Sequence, residues 1–367
     1  IDHYEISYST ASLLTSSYWV MHMLLPIPAS LLVGRIDMKK YIFLAAILNC
    51  ATVLTFLTTG SFTSLLVVRI VYASAFAVFF VSFGPVLMQW FRPKDMPFVN
   101  GLYLVAPTIG ISASSFLIAP IAERIGWEMA LTFMGASGVI PAIAWLIWGK
   151  NHESMQILDN TEIFKRLVVN IRSRNIILIA FADAGVLAFL SVAFAWLPTF
   201  YKEAYGFSLV KSGNLIGILM FSGIFAVIGA SIIARRSSRR RPFLIYPGIL
   251  CVLTAYAAIF TGDSFLIYPI IVLLGIAVWA YLPALLTMPM ELYPNDPNRV
   301  ALTNATMISF GGVLGIFAPL IVGFSRDITG SFIPGFCIFA AVSFSLLLSG
   351  YLLPETGQLS AKREKSA

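Results

Sequence analysis

The chain has 367 residues, of which 59% are hydrophobic and only 11% charged, with a formal net charge of +7 and a mean hydropathy of +0.87. A water-soluble domain carries about 25% charged residues, so this composition excludes an ordinary soluble globular protein. The positive excess raises the question of an acidic partner such as nucleic acid, and the placement of the charges decides it.

A helix needs about 20 mostly apolar residues to cross the roughly 30 Å hydrocarbon core of a bilayer. Eleven runs meet that requirement: 8–34, 41–59, 62–89, 98–122, 128–148, 176–200, 207–233, 243–261, 264–290, 300–325 and 331–353. The connections "FRPKDMP" (91–97), "YPNDPNR" (293–299) and "RDITGS" (326–331) are short and built of turn residues, which is how antiparallel helical neighbours are joined. A long polar stretch, 149–175, separates five spans from six, and its Ile163, Leu167, Val168 and Ile171 share one helical face suited to the membrane surface. The expected organisation is a helical half over 1–148, a cytoplasmic linker over 149–175, a six-span half over 176–353 and a cytoplasmic tail over 354–367.

Nineteen of the 24 Lys and Arg residues fall in alternate loops and the tail, five of them in "ARRSSRRRP" (234–242). The opposite loops hold Arg124, Lys202, Lys211 and Arg326, and Arg69 lies within a span. This bias follows the positive-inside rule and predicts an integral multi-pass protein of the plasma (inner) membrane with its basic loops and tail cytoplasmic. A loop of about eight residues between two spans cannot reach around a duplex, so no nucleic-acid partner is expected. With the tail inside and an odd number of spans, Ile1 lies outside, and an upstream twelfth span is expected.

Spans 62–122 and 264–325 share an ordering: an apolar run, an aromatic near Pro (Phe91 and Pro93; Tyr293 and Pro294), then a Gly-containing run with Pro near its far end (Pro120; Pro319). Such duplication is the form of a repeat-built transporter. In "SLLVGRIDMKK" (30–40), "SIIARRSSRRR" (231–241), "VVRIVYASA" (67–75), "GWEMALTFMG" (126–135), "MELYPNDPNR" (290–299), "RDITGSF" (326–332) and "PETG" (354–357) the chain resembles the major facilitator superfamily over essentially its whole length. The stretch "FAWLPTFYKEAYGFSLVKSGNL" (194–215) is similar to the cyanate and nitroimidazole permease group. The resemblance implies an all-α integral membrane fold of two pseudo-symmetric six-helix halves, with the first helix absent, rocking around a midplane site. The chain departs from the family in its basic loops, whose Gly and Asp positions hold other residues. It departs also in the antiporter signature: Gly101 and Gly110 keep the first interval, but Ser114, Ser115, Ile118 and Ala119 fill the rest. That weakens a drug-exporter reading.

A charged side chain at the centre of a span costs about 2.5–3.5 kcal/mol on insertion scales, so each one is a functional candidate. Arg69 is placed by the resemblance near a central cavity, where a guanidinium holds a small anion bidentately or modulates a proton site; snorkelling or a helix clamp is the competing role. Asp183 is the candidate carrier of a coupling proton, with His22 at a similar depth; a cap or pair near the cytoplasmic mouth and a satisfied core histidine are the competing roles. Tyr18, Trp19, Tyr72, Trp196, Trp279 and Tyr281 are candidate cavity walls, and Trp90, Trp127 and Trp148 interfacial anchors. Asn214 and Asn304 need a partner, either a helix or a substrate. The substrate-binding set is thus Arg69, Tyr72, Trp196, Asn214, Trp279, Tyr281 and Asn304.

The resemblance implies that Arg235, Arg236, Glu291, Arg299 and Glu355 form a cytoplasmic gate that latches the two halves in the outward-facing state; a solvated rim of weak surface pairs is the competing role. Cys50, Cys251 and Cys337 lack paired spacing, so neither a disulfide nor a metal site is expected, and no cofactor motif is present. The function expected is a secondary transporter, a monomer that moves a small organic or inorganic anion with protons by alternating access and is not an enzyme. Its partners are the solute, protons and the bilayer. The rivals are a proton-driven exporter of amphiphilic drugs, an integral membrane enzyme acting on lipids, and a non-transporting sensor.

Overall fold

The computed structural model describes residues 3–25, 29, 37–58, 60–90, 96–150, 172–262, 264–293 and 297–357. The side chains of 38, 77, 80–104, 235, 290, 297–302, 304 and 305 lie outside that description, and so do the expectations that fall on them or on the linker 151–171. Among the described residues there are helices and no strand. The first half comprises α1 (Tyr8–Ala11), α2 (Leu13–Leu24), α3 (Met38–Asn49) continued by the 3₁₀ turns Cys50–Leu57, α4 (Phe62–Trp90), α5 (Met96–Ile125), α6 (Trp127–Ser137) and α7 (Val139–Trp148). The second comprises α8 (Arg174–Tyr205), α9 (Leu209–Arg236), α10 (Pro242–Phe260), α11 (Ile267–Ala280), α12 (Leu282–Leu292), α13 (Pro297–Thr329), α14 (Ile333–Val342) and α15 (Phe344–Leu352).

Nine stretches among the described residues are long and apolar enough to cross a membrane, from Lys39–Leu57 to Ile333–Leu352. They fall in nine of the eleven expected spans. In the other two, 8–34 and 62–89, the described apolar stretches α2 and Phe62–Phe76 are shorter.

Local sequence sets the helix ends. The Asp37 carboxylate accepts from the Lys39 and Lys40 amides and starts α3, and the Ser208 hydroxyl accepts from the Lys211 amide and starts α9. Gly206, with φ 67°, closes α8 in the left-handed conformation that an L side chain resists. Among the described residues three spans are each built of two α-helical segments: α6 gives way to α7 at Gly138, α11 to α12 at Tyr281, and α14 to α15 at Ser343. Pro283, just after Tyr281, has no N–H for the ladder, which accounts for the second break.

Burial separates central helices from peripheral ones. The apolar window of Arg174–Tyr205 is 78% buried inside the protein, against 17% for Trp127–Trp148, so α8 is a central helix and α6–α7 a lipid-facing one. The core of the second half gathers on α8, with Phe189, Leu197, Phe200 and Tyr201 against Leu219, Ile271 and Phe336. Small residues let neighbours close in: a side chain at Gly275 of α11 would strike Ser222 and the Leu219 carbonyl of α9.

Among the described residues the halves meet along two seams, α1 and α2 against α13 and α5 against α9. In the first, the Ser16 hydroxyl donates to the Ile316 carbonyl at 2.7 Å. A Cβ at Gly315 would stand 2.5 Å from Cδ2 of Trp19, and one at Gly312 would stand 3.2 Å from Cβ of Met23. In the second, the Ser112 hydroxyl donates to the Gly217 carbonyl at 3.0 Å, and the Phe116 ring covers Gly217.

Candidate functional site

Helical spacing builds the first cluster. On α2, Leu14, Tyr18 and His22 recur every four residues, and on α4, Arg69, Tyr72 and Phe76 recur at three and four, so each set lines one face. The faces meet. Arg69 Nε donates to the Leu14 carbonyl at 3.2 Å, and its Cζ lies 5.2 Å from the Tyr72 ring centroid and 5.8 Å from that of Tyr18. The side chain is half-buried, makes no ion pair with a described residue, and its two terminal nitrogens make no hydrogen bond with one. A guanidinium anchored through Nε and flanked by two aromatic rings keeps its terminal fork oriented, which suits bidentate capture of an oxyanion.

His22 belongs to the same cluster. Its ring lies 4.1 Å from Phe76, 5.0 Å from Tyr18 and 5.5 Å from Trp19, centroid to centroid. Tyr18 therefore stands between His22 and Arg69.

The second cluster lies in the other half. Asp183 of α8 is buried, and Tyr281, at the break between α11 and α12, donates its hydroxyl to Asp183 Oδ1 at 2.7 Å. A Cβ at Gly311 of α13 would stand 3.7 Å from Asp183 Oδ2. No cation is paired with this carboxyl group among the described residues. A carboxylate buried in a span is costly unless a partner offsets its charge.

The turn "GGVLG" (311–315) of α13 stands between the two clusters: Gly311 faces Asp183 and Leu187 of α8, whereas Gly312 and Gly315 face Met23 and Trp19 of α2, on either side of His22. The sequence reading did not single these glycines out; the signal was three glycines in five positions of an otherwise apolar span.

The other expected residues are distributed more widely. Trp196 is buried near the end opposite the basic loops, its indole N–H donating to the Pro319 carbonyl at 2.9 Å. Trp279 packs its ring on Gly223 of α9, with its indole N–H buried and without a partner among the described residues. Asn214 is half-buried on α9, next to Gly213, which packs on Ser115 and Ala119 of α5. Asn304, Arg235 and Arg299 have side chains outside the described residues.

At the basic end, Glu291 is held within the second half. It accepts from Arg240 Nη2 at 2.7 Å and from the Thr356 hydroxyl at 2.6 Å, while Arg240 Nη1 donates to the Ala234 and Ser237 carbonyls. Glu355 accepts from the backbone amides of Arg240 and Arg241, and the Arg241 guanidinium donates to the Leu353 and Tyr351 carbonyls. Arg236 is exposed. Arg240 and Arg241 were not among the expected gate residues, since the sequence does not say which of five neighbouring arginines turns inward. Among the described residues no group of three or more His, Cys, Asp or Glu side chains gathers as a metal site, and the three cysteines are free.

Two helical halves, apolar spans throughout, and isolated charged groups inside them define a multi-pass membrane transporter of the two-half kind. The sequence pattern of the Major Facilitator Superfamily matches residues 1–319, and the chain belongs to that family of transporters. A crystal structure of the superfamily transporter FucP in the outward conformation superposes with a TM-score of 0.65 at 13% identity, covering 96% of this chain and 92% of that one. A hexuronate transporter of Bacillus subtilis is 22% identical over 97% of this chain and 89% of its own. An uncharacterized protein of Campylobacter jejuni is 26% identical over 72% of this chain and 84% of its own, and the nitrite extrusion protein of Bacillus subtilis 22% identical over 93% and 84%.

Proposed function

We propose that the chain is a secondary transporter that moves a small organic or inorganic anion together with a proton, by alternating access. The observation that carries this reading is Arg69: a cation inside a span, braced by Leu14, Tyr18 and Tyr72, with no carboxylate against it among the described residues. A structural arginine within the membrane pairs its charge; one whose terminal nitrogens are left over offers them to a ligand. Relatives named for hexuronate and nitrite support an anionic cargo. Asp183 carries the proton, with Tyr281 as its hydrogen-bond partner, and His22 lies on the anion side through Tyr18. Asn214, Trp279 and Asn304 complete the proposed substrate-binding set, and the indole N–H of Trp279 has no acceptor among the described residues.

The basic loops face the cytoplasm in this reading. Glu291 and Glu355, fixed by Arg240 and Arg241, give the second half a rigid cytoplasmic rim, against which Arg235, Arg236 and Arg299 complete the gate.

Binding tests the anion site without requiring flux. Purified protein titrated with a hexuronate and with nitrite is expected to bind at least one of them, with affinity lowered about tenfold or more in Arg69→Ala, the loss of one charge-assisted bidentate contact. Equal affinity of the two proteins for whichever anion binds would remove Arg69 from the site.

A further inference from the structure

Residues 3–9 run across the end opposite the basic loops and touch both halves. At the start, the Tyr4 hydroxyl donates to the Thr58 carbonyl at 2.9 Å, and the rings of His3 and Tyr4 lie 5.6 and 6.1 Å from that of Trp127. His3 Nε2 stands 4.0 Å from Glu128 Oε1. All of these anchors belong to the first half.

A few residues on, the chain is held by the second half. The backbone amides of Tyr8 and Ser9 donate to the two carboxylate oxygens of Asp327 at 3.1 and 3.0 Å, so an acid at the end of α13 caps the first turn of α1. The Tyr8 hydroxyl donates to Glu203 Oε1, and Glu203 Oε2 accepts from Arg326 Nε and Nη2 at 3.0 and 2.9 Å. The Arg326 guanidinium lies 4.9 Å over the Tyr8 ring, which also packs 5.7 Å from Trp196 and 5.4 Å from Phe332. Gly323 makes room, since a Cβ there would stand 2.8 Å from the Tyr8 carbonyl oxygen. Between the two anchors Glu5 has φ 52°, a left-handed conformation that a non-glycine residue holds only where its surroundings impose it.

We propose that residues 3–9 are a strap that keeps the end opposite the basic loops closed, with Asp327 as its catch and the Tyr8–Glu203–Arg326 set as its second fastening. The character of the bonds fits a catch rather than a weld. The bonds from Tyr8 and Ser9 to Glu203 and Asp327, which are the ones that cross between the halves, lie at the exposed surface, so water replaces them as the halves part. The Arg240–Glu291 pair, 10% exposed on both sides, has no such replacement and stays within one half. The strap holds whatever the cargo is, so it stands independently of the anion site.

The test is a distance measurement in lipid nanodiscs. Nitroxides are placed on Ser61→Cys in the first half and Phe265→Cys in the second, both at this end, with Cys50, Cys251 and Cys337 replaced by alanine. Asp327→Ala is expected to raise the ratio of long to short distances about tenfold or more, the effect of losing two solvent-exposed hydrogen bonds. Asp327→Asn and Tyr8→Phe shift it less, in the same direction. Thr329→Ala, whose hydroxyl bonds only within 325–331, leaves it unchanged. A distribution for Asp327→Ala identical to wild type, or an equal shift from Thr329→Ala, would overturn the proposal. If Asp327→Ala does not fold, unchanged distances in both Asp327→Asn and Tyr8→Phe overturn it as well.

Discussion

Replacing Glu291 by alanine should unmake the basic rim of the second half. Glu291 takes both Nε and Nη2 of Arg240, at 3.0 and 2.7 Å, and the hydroxyl of Thr356, in a place where either side chain is only 10% exposed. Its loss leaves a nearly buried guanidinium without its counter-charge, which costs about 3–5 kcal/mol, and leaves the Thr356 hydroxyl without an acceptor, about 1 kcal/mol more. At this chain size that corresponds to a fall of roughly 5–10 °C in apparent Tm, measured by thermal unfolding in a fixed detergent. The double variant Arg240→Met, Glu291→Leu removes the charge that would be stranded. It should recover at least half of the loss, short of full recovery because the Ala234 and Ser237 carbonyls still lose their donor. A Tm within about 1 °C of wild type for Glu291→Ala, or a double variant as unstable as the sum of its parts, would refute the reasoning.

Arg69→Lys keeps the charge but has neither the Nε–H that Leu14 accepts nor the planar fork, so anion transport should fall about tenfold, less than in Arg69→Ala; initial uptake rates check the order. Tyr281→Phe strands Asp183 in the core without its hydrogen bond and should lower stability by about 1–3 kcal/mol, read from denaturation midpoints. Gly315→Leu drives a side chain into Trp19 at the α2–α13 seam and should cost about 1–3 kcal/mol, relieved in part by Trp19→Ala in a double-variant cycle.

The spans were legible because a bilayer demands about 20 apolar residues in a row, a one-dimensional requirement that composition alone can meet. Arg69 and Asp183 were legible for the converse reason, since charge inside such a run stands out. What surrounds them was not. Depth along a helix gave His22 and Asp183 similar levels, but depth does not specify azimuth, and the face that carries His22 also carries Tyr18 and Leu14 and meets α4. Likewise the count of arginines in "RRSSRRR" was plain, yet which of them turns inward depends on where Glu291 and Leu353, at helix ends 51 and 112 residues away, arrive. Asp327 and Glu203 do not stand out in the sequence, because the amides of Tyr8 and Ser9 that bind Asp327, and the Tyr8 hydroxyl that binds Glu203, come from more than 300 and 195 residues away.

The central claim is that an anion held by Arg69 crosses with a proton carried by Asp183. The direct test is uptake into proteoliposomes of a hexuronate and of nitrite, with and without an imposed pH gradient, for wild type, Arg69→Ala and Asp183→Asn. The account predicts accumulation of one of these anions that requires the gradient, is lost in Arg69→Ala, and in Asp183→Asn gives way to passive equilibration indifferent to the gradient. Accumulation that ignores the gradient in wild type, or that survives both substitutions unchanged, would contradict it.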